Sequence, residues 1–292
     1  MTEAGFAGIV ISAAAAGLLA RSRYERSHFV TERVFVVSPK LPDGYRKQLV
    51  FLTDLHDNRF GRGNETLLAA IGRIAPDAVL IGGDMMVAKG RADLTVTEEL
   101  VKNLAARWPV YYGNGNHEER MNRERDVYGD AYDRLVAFLR ETGVHYLSDE
   151  SCDLDRFVRI SGCNLDETYY RHRFSIPRLP EGEIGRRLGP ASGKFQILLF
   201  HSPLFFRECA AWGADLTLCG HFHGGTIRLP FLGGVMTPQY QFFLPWCAGR
   251  FEREGKVMAV SRGLGTHSIN IRLNNRPQLT WITLEGRKER DG

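Results

Sequence analysis

The chain has 292 residues, 43% hydrophobic and 25% charged, a composition that suits a globular fold with a sizeable core and excludes fibrous, collagen-like and disordered classes. Its formal net charge of +4 comes from interspersed acidic and basic residues, so no clustered basic face points to nucleic acid. The five cysteines, Cys152, Cys163, Cys209, Cys219 and Cys247, are odd in number and form no Cys-x-x-Cys pair, which argues against a disulfide framework or thiolate zinc site and for free thiols in a reducing compartment.

Residues 4 to 20 form an uncharged run rich in Ala and Gly, with Ile9, Val10, Ile11, Leu18 and Leu19 supplying the apolarity. Only Glu3 precedes the run, and Arg21, Arg23 and Arg26 follow it. That charge order fits a signal-anchor better than a cleavable signal, although the run sits at the short limit for a spanning helix. The expectation is an N-terminal membrane-anchor helix over residues 1 to 26, with the rest of the chain on the cytoplasmic side. An exported domain is the alternative topology, and an amphipathic or core-docked helix is the alternative without a membrane.

Residues 27 to 45 read as a linker plus a first strand, Val34-Phe35-Val36-Val37, closed by Pro39 and a Leu41-Pro42-Asp43-Gly44 turn. The main domain is expected over residues 46 to 292. Gln48-Leu49-Val50-Phe51-Leu52 is a short apolar run of buried-strand type and delivers Thr53-Asp54-Leu55-His56 at its carboxyl end. A helix over residues 64 to 74 follows, with Asn64 as its expected N-cap. Ala78-Val79-Leu80-Ile81 is the next strand and ends in Gly82-Gly83-Asp84. After a helix over residues 93 to 107, Pro109-Val110-Tyr111-Tyr112 ends in Gly113-Asn114-Gly115-Asn116-His117-Glu118. The unit of strand, polar residue and helix thus occurs three times, an α/β pattern in which ligands bind beyond the carboxyl ends of strands.

A helix over residues 125 to 142 and a strand over 157 to 162 come next. Residues 164 to 190, rich in Arg, Pro and Gly, read as an exposed loop or lid. Phe195-Gln196-Ile197-Leu198-Leu199-Phe200 is a buried strand ending at His201, and Asp215-Leu216-Thr217-Leu218 leads into Cys219-Gly220-His221-Phe222-His223-Gly224-Gly225. Strands over 257 to 260 and 279 to 284 flank a Gly-rich loop over 261 to 266.

Asp54, His56, Asp84, Asn116, His201, His221 and His223 together offer carboxylates, an amide oxygen and imidazoles. This mixed O/N set exceeds one tetrahedral zinc site and suits two divalent ions sharing a carboxylate. Two ions roughly 3.5–4 Å apart activate a bridging water and clamp the attacking and leaving oxygens of a phosphoryl group, so phosphoester hydrolysis is the chemistry they serve best.

The ordered blocks Asp54-x-His56, Gly83-Asp84, Gly115-Asn116-His117-Glu118, His201 and Gly220-His221-x-His223 resemble the calcineurin-like metallophosphoesterases over residues 46 to 284. The resemblance implies a four-layer αββα sandwich of two mixed sheets and a dinuclear Mn, Fe or Zn centre. It implies that Asp54, His56 and His223 hold one ion, that Asn116, His201 and His221 hold the other, and that Asp84 bridges them. It also implies that His117 stabilises or protonates the leaving oxygen. The stretch from His221 to Phe231 and Ser261-Arg262-Gly263-Leu264-Gly265 are similar to a bacterial, membrane-associated subgroup that includes phosphodiesterases and UDP-diacylglucosamine hydrolases of lipid A synthesis. The implied reaction is hydrolysis of a phosphodiester or pyrophosphate by a metal-bridging hydroxide, on a substrate that is lipid-linked or a nucleotide-sugar. The alternatives are a catalytically silent binding module on the same fold and a phosphomonoesterase or protein phosphatase.

Asp57 departs from the small or apolar residues usual at its place in the family; it reads either as a partner of His56 or as a surface residue. Arg59, Arg171 and Arg173 are phosphate-clamp candidates, with solvated arginine as the plainer reading. His28, His145, His172 and His267 carry no motif and read as surface or hydrogen-bonded histidines. The aromatic loop Tyr240-Gln241-Phe242-Phe243-Leu244-Pro245-Trp246 reads as a cover for the core or as a lipid contact.

Overall fold

The computed structural model describes residues 3–172, 174–225, 227–229, 231–266 and 270–287, and of the residues singled out above, Arg173, Pro230 and His267 lie outside these. One sheet has the strand order β1 (Val30–Ser38), β14 (Gln278–Gly286), β2 (Arg46–Leu52), β3 (Ala78–Ile81), β4 (Val110–Gly113) and β5 (His145–Leu147). The other has the order β12 (Gly249–Arg253), β13 (Lys256–Val260), β9 (Leu216–Cys219), β8 (Phe195–Leu199), β7 (Val158–Gly162) and β6 (Glu150–Asp153). Both are mixed: β14 runs antiparallel to β2 while β2, β3, β4 and β5 are parallel, and β7, β8, β9 and β13 are parallel between antiparallel edges.

Strand period decides the layers. Leu49 and Phe51 of β2 pack inward with Leu80, Ile197, Leu199, Leu216 and Leu218, filling the space between the two sheets. Their neighbours Val50 and Leu52 point the other way, onto α2 (Glu65–Ile74), α3 (Thr95–Ala105) and α6 (Ala131–Glu141). On the far face of the second sheet, Leu198 packs with Ile184 of α8 (Glu183–Leu188) and Cys209 of α9 (Phe206–Trp212). Helices therefore cover both outer faces, which is why the central strands read as continuous apolar runs. Each large side chain so buried contributes roughly 1.5–3 kcal/mol.

Several local expectations need correcting. Asn64 stands at the N-cap position of α2 as expected, but it is left-handed and makes no side-chain capping bond; its Oδ1 accepts from the Phe60 N–H at 2.9 Å and closes the turn before α2. The helix expected over 125 to 142 breaks at Gly129, whose φ of 58° separates α5 (Arg125–Tyr128) from α6. The stretch expected as an exposed loop carries α7 (Glu167–Arg171) and α8, and buries Leu165, Leu179 and Ile184. A two-stranded ribbon of β10 (Arg228–Leu229) and β11 (Gly233–Gly234) follows the His221 segment.

The N-terminal run does form a helix, α1 (Glu3–Ser27), but no helix among the described residues is long and apolar enough to cross a membrane. The expected spanning anchor is thus unsupported. At the helix's carboxyl end Arg21, Arg23, Glu25 and Arg26 follow the apolar run, and the chain turns to the domain. Glu25 is fully buried and accepts the backbone N–H groups of Asn274 and Asn275 at 3.1 and 2.8 Å, while Ser22 Oγ accepts from Arg272 N–H at 3.0 Å. Ile9, Val10, Ile11, Leu18 and Leu19 remain exposed.

Candidate metal centre

Strand ends position the cluster. β2 delivers Asp54 and His56, β3 delivers Asp84, β4 leads into Asn116 and His117 at the start of α4 (Asn116–Arg123), β8 delivers His201, and β9 delivers His221 and His223. Asp54, His56, Asp84, His221 and His223 all have positive φ, between 46° and 65°, a conformation that costs a non-glycine residue about 1–3 kcal/mol and persists only where surroundings dictate it. The surroundings here are backbone hydrogen bonds between the loops. Asp54 N–H donates to Gly83 O at 2.9 Å, Gly265 N–H to Asp54 O at 2.6 Å, and His56 N–H to Asp84 O at 3.2 Å. Glycine is required where the loops touch. A Cβ on Gly83, itself at φ 84°, would lie 1.9 Å from Gly115 N, and one on Gly115 would lie 2.3 Å from Asp84 Oδ1.

The side chains converge as expected from the sequence. His56 Nε2 lies 3.2 Å from His223 Nε2, 3.9 Å from Asp54 Oδ1 and 3.8 Å from Asp84 Oδ2. His201 Nε2 lies 3.2 Å from Asp84 Oδ2 and 3.7 Å from Asp54 Oδ1, and His223 Nε2 lies 3.5 Å from Asp54 Oδ1. Three ligand groups result, Asp54 with His56 and His223, His56 with Asp84 and His117, and Asp84 with His201 and His221, each with its donor atoms within 4.8 Å of one another. All of these residues are buried.

The donor chemistry fits divalent cations. Asn116 Oδ1 is buried without a hydrogen-bond partner among the described residues, and buried Asp84 Oδ2 and His201 Nε2 have only each other, 3.2 Å apart, a cost that a cation at the cluster would remove. His201 Nδ1 lies 2.7 Å from Gly82 O; as the donor there it leaves Nε2 for the carboxylates. The charges respond to one another. Burial raises Asp54 to about 7, opposed by His201 and reinforced by Asp84. Burial alone would raise Asp84 too, but His201, His117 and His56 outweigh it and hold the carboxyl well below its usual range. For His201, burial is outweighed by Asp84 and Asp54, which lift the imidazole to about 10.

Glu118 organises the site from behind, a role that its position in the motif did not reveal. Its buried carboxylate accepts Asp84 N–H, Met85 N–H and Gly115 N–H at 2.9, 3.2 and 3.0 Å, and Tyr112 Oη–H at 2.6 Å. Asp57 is likewise structural: its Oδ2 accepts Val87 N–H at 3.1 Å, joining the loops after β2 and β3. His28 stacks on Tyr24 and His145 on Tyr111, away from the cluster, and His172 is exposed.

A cleft of about 640 Å³ opens beside the cluster, lined by Asn116, His117 and His221 and also by Lys89, Arg120 and Arg171. Arg171 thus reaches the cleft, whereas Arg59 does not line it and pairs with Glu99. Lys89 and Arg120 were not singled out from the sequence; the spacing of Arg120 four residues after Asn116, one helical turn along the same face, is the signal that would have found it. The aromatic loop is divided: Gln241 is buried and Tyr240 stacks on Phe174, while Phe242 and Phe243 are exposed.

Residues 47–225 match the family model described as calcineurin-like phosphoesterase, and the chain belongs to that family. It is a metal-dependent phosphoric ester hydrolase. It is 26% identical over 273 residues to a protein of Aquifex aeolicus (strain VF5) named as a metallophosphoesterase, covering 92% of this chain and 96% of that one. It is 25% identical to the metallophosphoesterase YkuE of Bacillus subtilis (strain 168), over 90% of this chain and 88% of the relative. With phosphodiesterase YaeI of Escherichia coli (strain K12) it shares 24% identity, over 81% and 82% of the two chains.

Proposed function

We propose that the chain hydrolyses a phosphodiester or pyrophosphate with two divalent metal ions, Mn, Fe or Zn. The observation that carries this reading is that Asp84 belongs to two ligand groups at once, one with His56 and His117 and one with His201 and His221. Asp54, His56 and His223 would hold one ion, Asn116, His201 and His221 the other, with Asp84 shared between them. When bound, such ions supply Lewis acidity and an activated water.

The protein's own contribution is orientation and proton placement. Ala88 N–H donates to His117 Nδ1 at 2.7 Å, so the neutral ring carries its proton on Nε2. Burial keeps the ring neutral by lowering its pKa from 6.5 to about 4. Nε2–H is then the donor offered to the leaving oxygen. A substrate with an apolar portion, such as a lipid-linked phosphoester, is supported by the exposed Phe174, Phe242 and Phe243, with Phe174 stacked on the cleft residue Tyr240. The five cysteines are free, four of them buried, which supports a cytoplasmic catalytic domain.

The test is turnover of bis(p-nitrophenyl) phosphate by the full chain, stripped of metal and resupplied with Mn²⁺. Restored turnover is expected. Metal bound without turnover would overturn the reading in favour of a binding module.

A further inference from the structure

Beyond the cluster the cleft has a second, basic wall built by two short helices and one loop. α4 starts with Asn116 and His117, and its period sets Arg120 on the same face. Arg120 Nη1 donates to Ala88 O at 3.0 Å, and Ala88 N–H donates to His117. One residue therefore fixes both the arginine and the histidine, and the next, Lys89, is carried to the same cleft. α7, packed beside α4, adds to the same wall. Glu167, Tyr170 and Arg171 share a face, and the Tyr170 ring meets His221 edge-on with centroids 4.7 Å apart.

Charge on this wall is unbalanced. The buried Glu167 carboxylate takes Arg120, Arg123 and Arg171, and Glu124 takes Arg123 and Arg171. Among the described residues that line the cleft, Lys89, Arg120 and Arg171 are cationic and Glu167 is the carboxylate. Burial, followed by repulsion from Arg120, lowers the Lys89 ammonium from its ordinary value. The cleft's volume of about 640 Å³ lies in the range of whole small-molecule sites, ~300–1,000 Å³, and leaves room for much more than the phosphoryl group at the cluster.

We propose that Lys89 and Arg120, with Arg171 at the mouth, bind a second anionic group of the substrate, so that the natural substrate carries a phosphate or equivalent anion beyond the scissile ester. This rests on the phosphoesterase reading of the adjoining cluster. Arginine supplies a planar fork for phosphate and lysine a point charge, the pairing expected where one oxyanion must be held at a set distance from another.

The experiment measures competitive inhibition of bis(p-nitrophenyl) phosphate turnover by the Mn²⁺-loaded full chain. The probes are α,ω-alkane bisphosphonates of increasing length and the monophosphonates of matching length. The expected result is an optimum length at which the bisphosphonate binds at least about tenfold more tightly than its monophosphonate. Lys89→Met should reduce that ratio about fivefold or more, while Arg59→Met, outside the cleft, should leave it unchanged. Lys89→Met leaves the Glu167 ion pairs in place, so a lost ratio does not report a collapsed wall. No bisphosphonate advantage at any length, or an advantage that survives Lys89→Met, overturns the proposal. Absence of Mn²⁺-dependent turnover would instead count against the phosphoesterase reading, and calorimetric titration of the same ligands would then decide the anion site alone.

Discussion

The Ala88 backbone N–H donates to Nδ1 of His117 at 2.7 Å, so a loop residue after β3 sets the tautomer of the histidine that opens α4. That link predicts a specific defect. His117→Ala should leave metal content intact and lower kcat by about 10²–10⁴, the range for loss of a positioned proton donor. Elemental analysis alongside steady-state kinetics checks both halves. In the metal-free chain the sign of the pH effect also follows. The folded pKa of about 4 lies below the ordinary 6.5, so the unfolded chain binds more protons between these values. Stability is then full above 6.5 and falls by roughly 3 kcal/mol as pH drops through about 4, measurable by urea unfolding across that window.

Asp84 and Glu118 should fail differently. Asp84→Asn removes the carboxylate shared by two ligand groups, and the expected outcome is loss of both ions and of turnover by about 10³ or more in a cooperatively folded protein. Glu118→Ala strands the N–H groups of Asp84, Met85 and Gly115 and the Tyr112 hydroxyl. At about 1–3 kcal/mol per buried unsatisfied group, it should lower Tm severely. Thermal melts paired with metal stoichiometry separate the two. Unchanged metal content in Asp84→Asn would refute the shared-ligand assignment.

The carboxyl end of α1 is part of the domain's stability even though Ile9, Val10, Ile11, Leu18 and Leu19 stand exposed. Deleting residues 2 to 20 should leave the unfolding free energy nearly unchanged. Glu25→Ala should cost about 2–4 kcal/mol, because the Asn274 and Asn275 N–H groups lose their acceptor. Chemical denaturation of the two variants makes the comparison, and equal losses in both would show that the exposed half carries stability too.

Much of this architecture can be read from residue order because the central strands are buried on both faces. Leu49 to Leu52 and Ala78 to Ile81 are apolar without interruption, and Phe195 to Leu199 is broken only by the buried Gln196; the polar residues that follow these runs lie at the cluster. What stayed hidden depends on contacts distant in sequence. β5 and β6 are short and half exposed, so their pairing leaves little apolar pattern. Lys89 and Arg120 look like ordinary solvated cations until Ala88 ties their elements together. Glu25 looks like a flank of an apolar run until Asn274 and Asn275, some 250 residues later, fold back onto it.

Metal binding at the cluster should release protons in a pH-dependent way. Without a cation, protons supply the positive charge between Asp54 and Asp84: Asp54 rises to about 7, driven by burial, and His201 rises to about 10, where Asp84 and Asp54 outweigh burial. A cation can take these ligands only after they lose their protons. At pH 6 both groups are protonated, so Mn²⁺ binding should release about two protons; at pH 8.5 Asp54 is already ionised and the number should fall to about one. Affinity rises with pH over the same interval. In the metal-free chain the raised His201 has the opposite linkage sign to His117, giving stability that is full below 6.5 and is lost as pH rises through about 10. Calorimetry of Mn²⁺ binding in buffers of different ionisation enthalpy counts the protons directly. A count of zero at pH 6 would mean that Asp54 and His201 hold no protons to give up, and would refute the raised values of both.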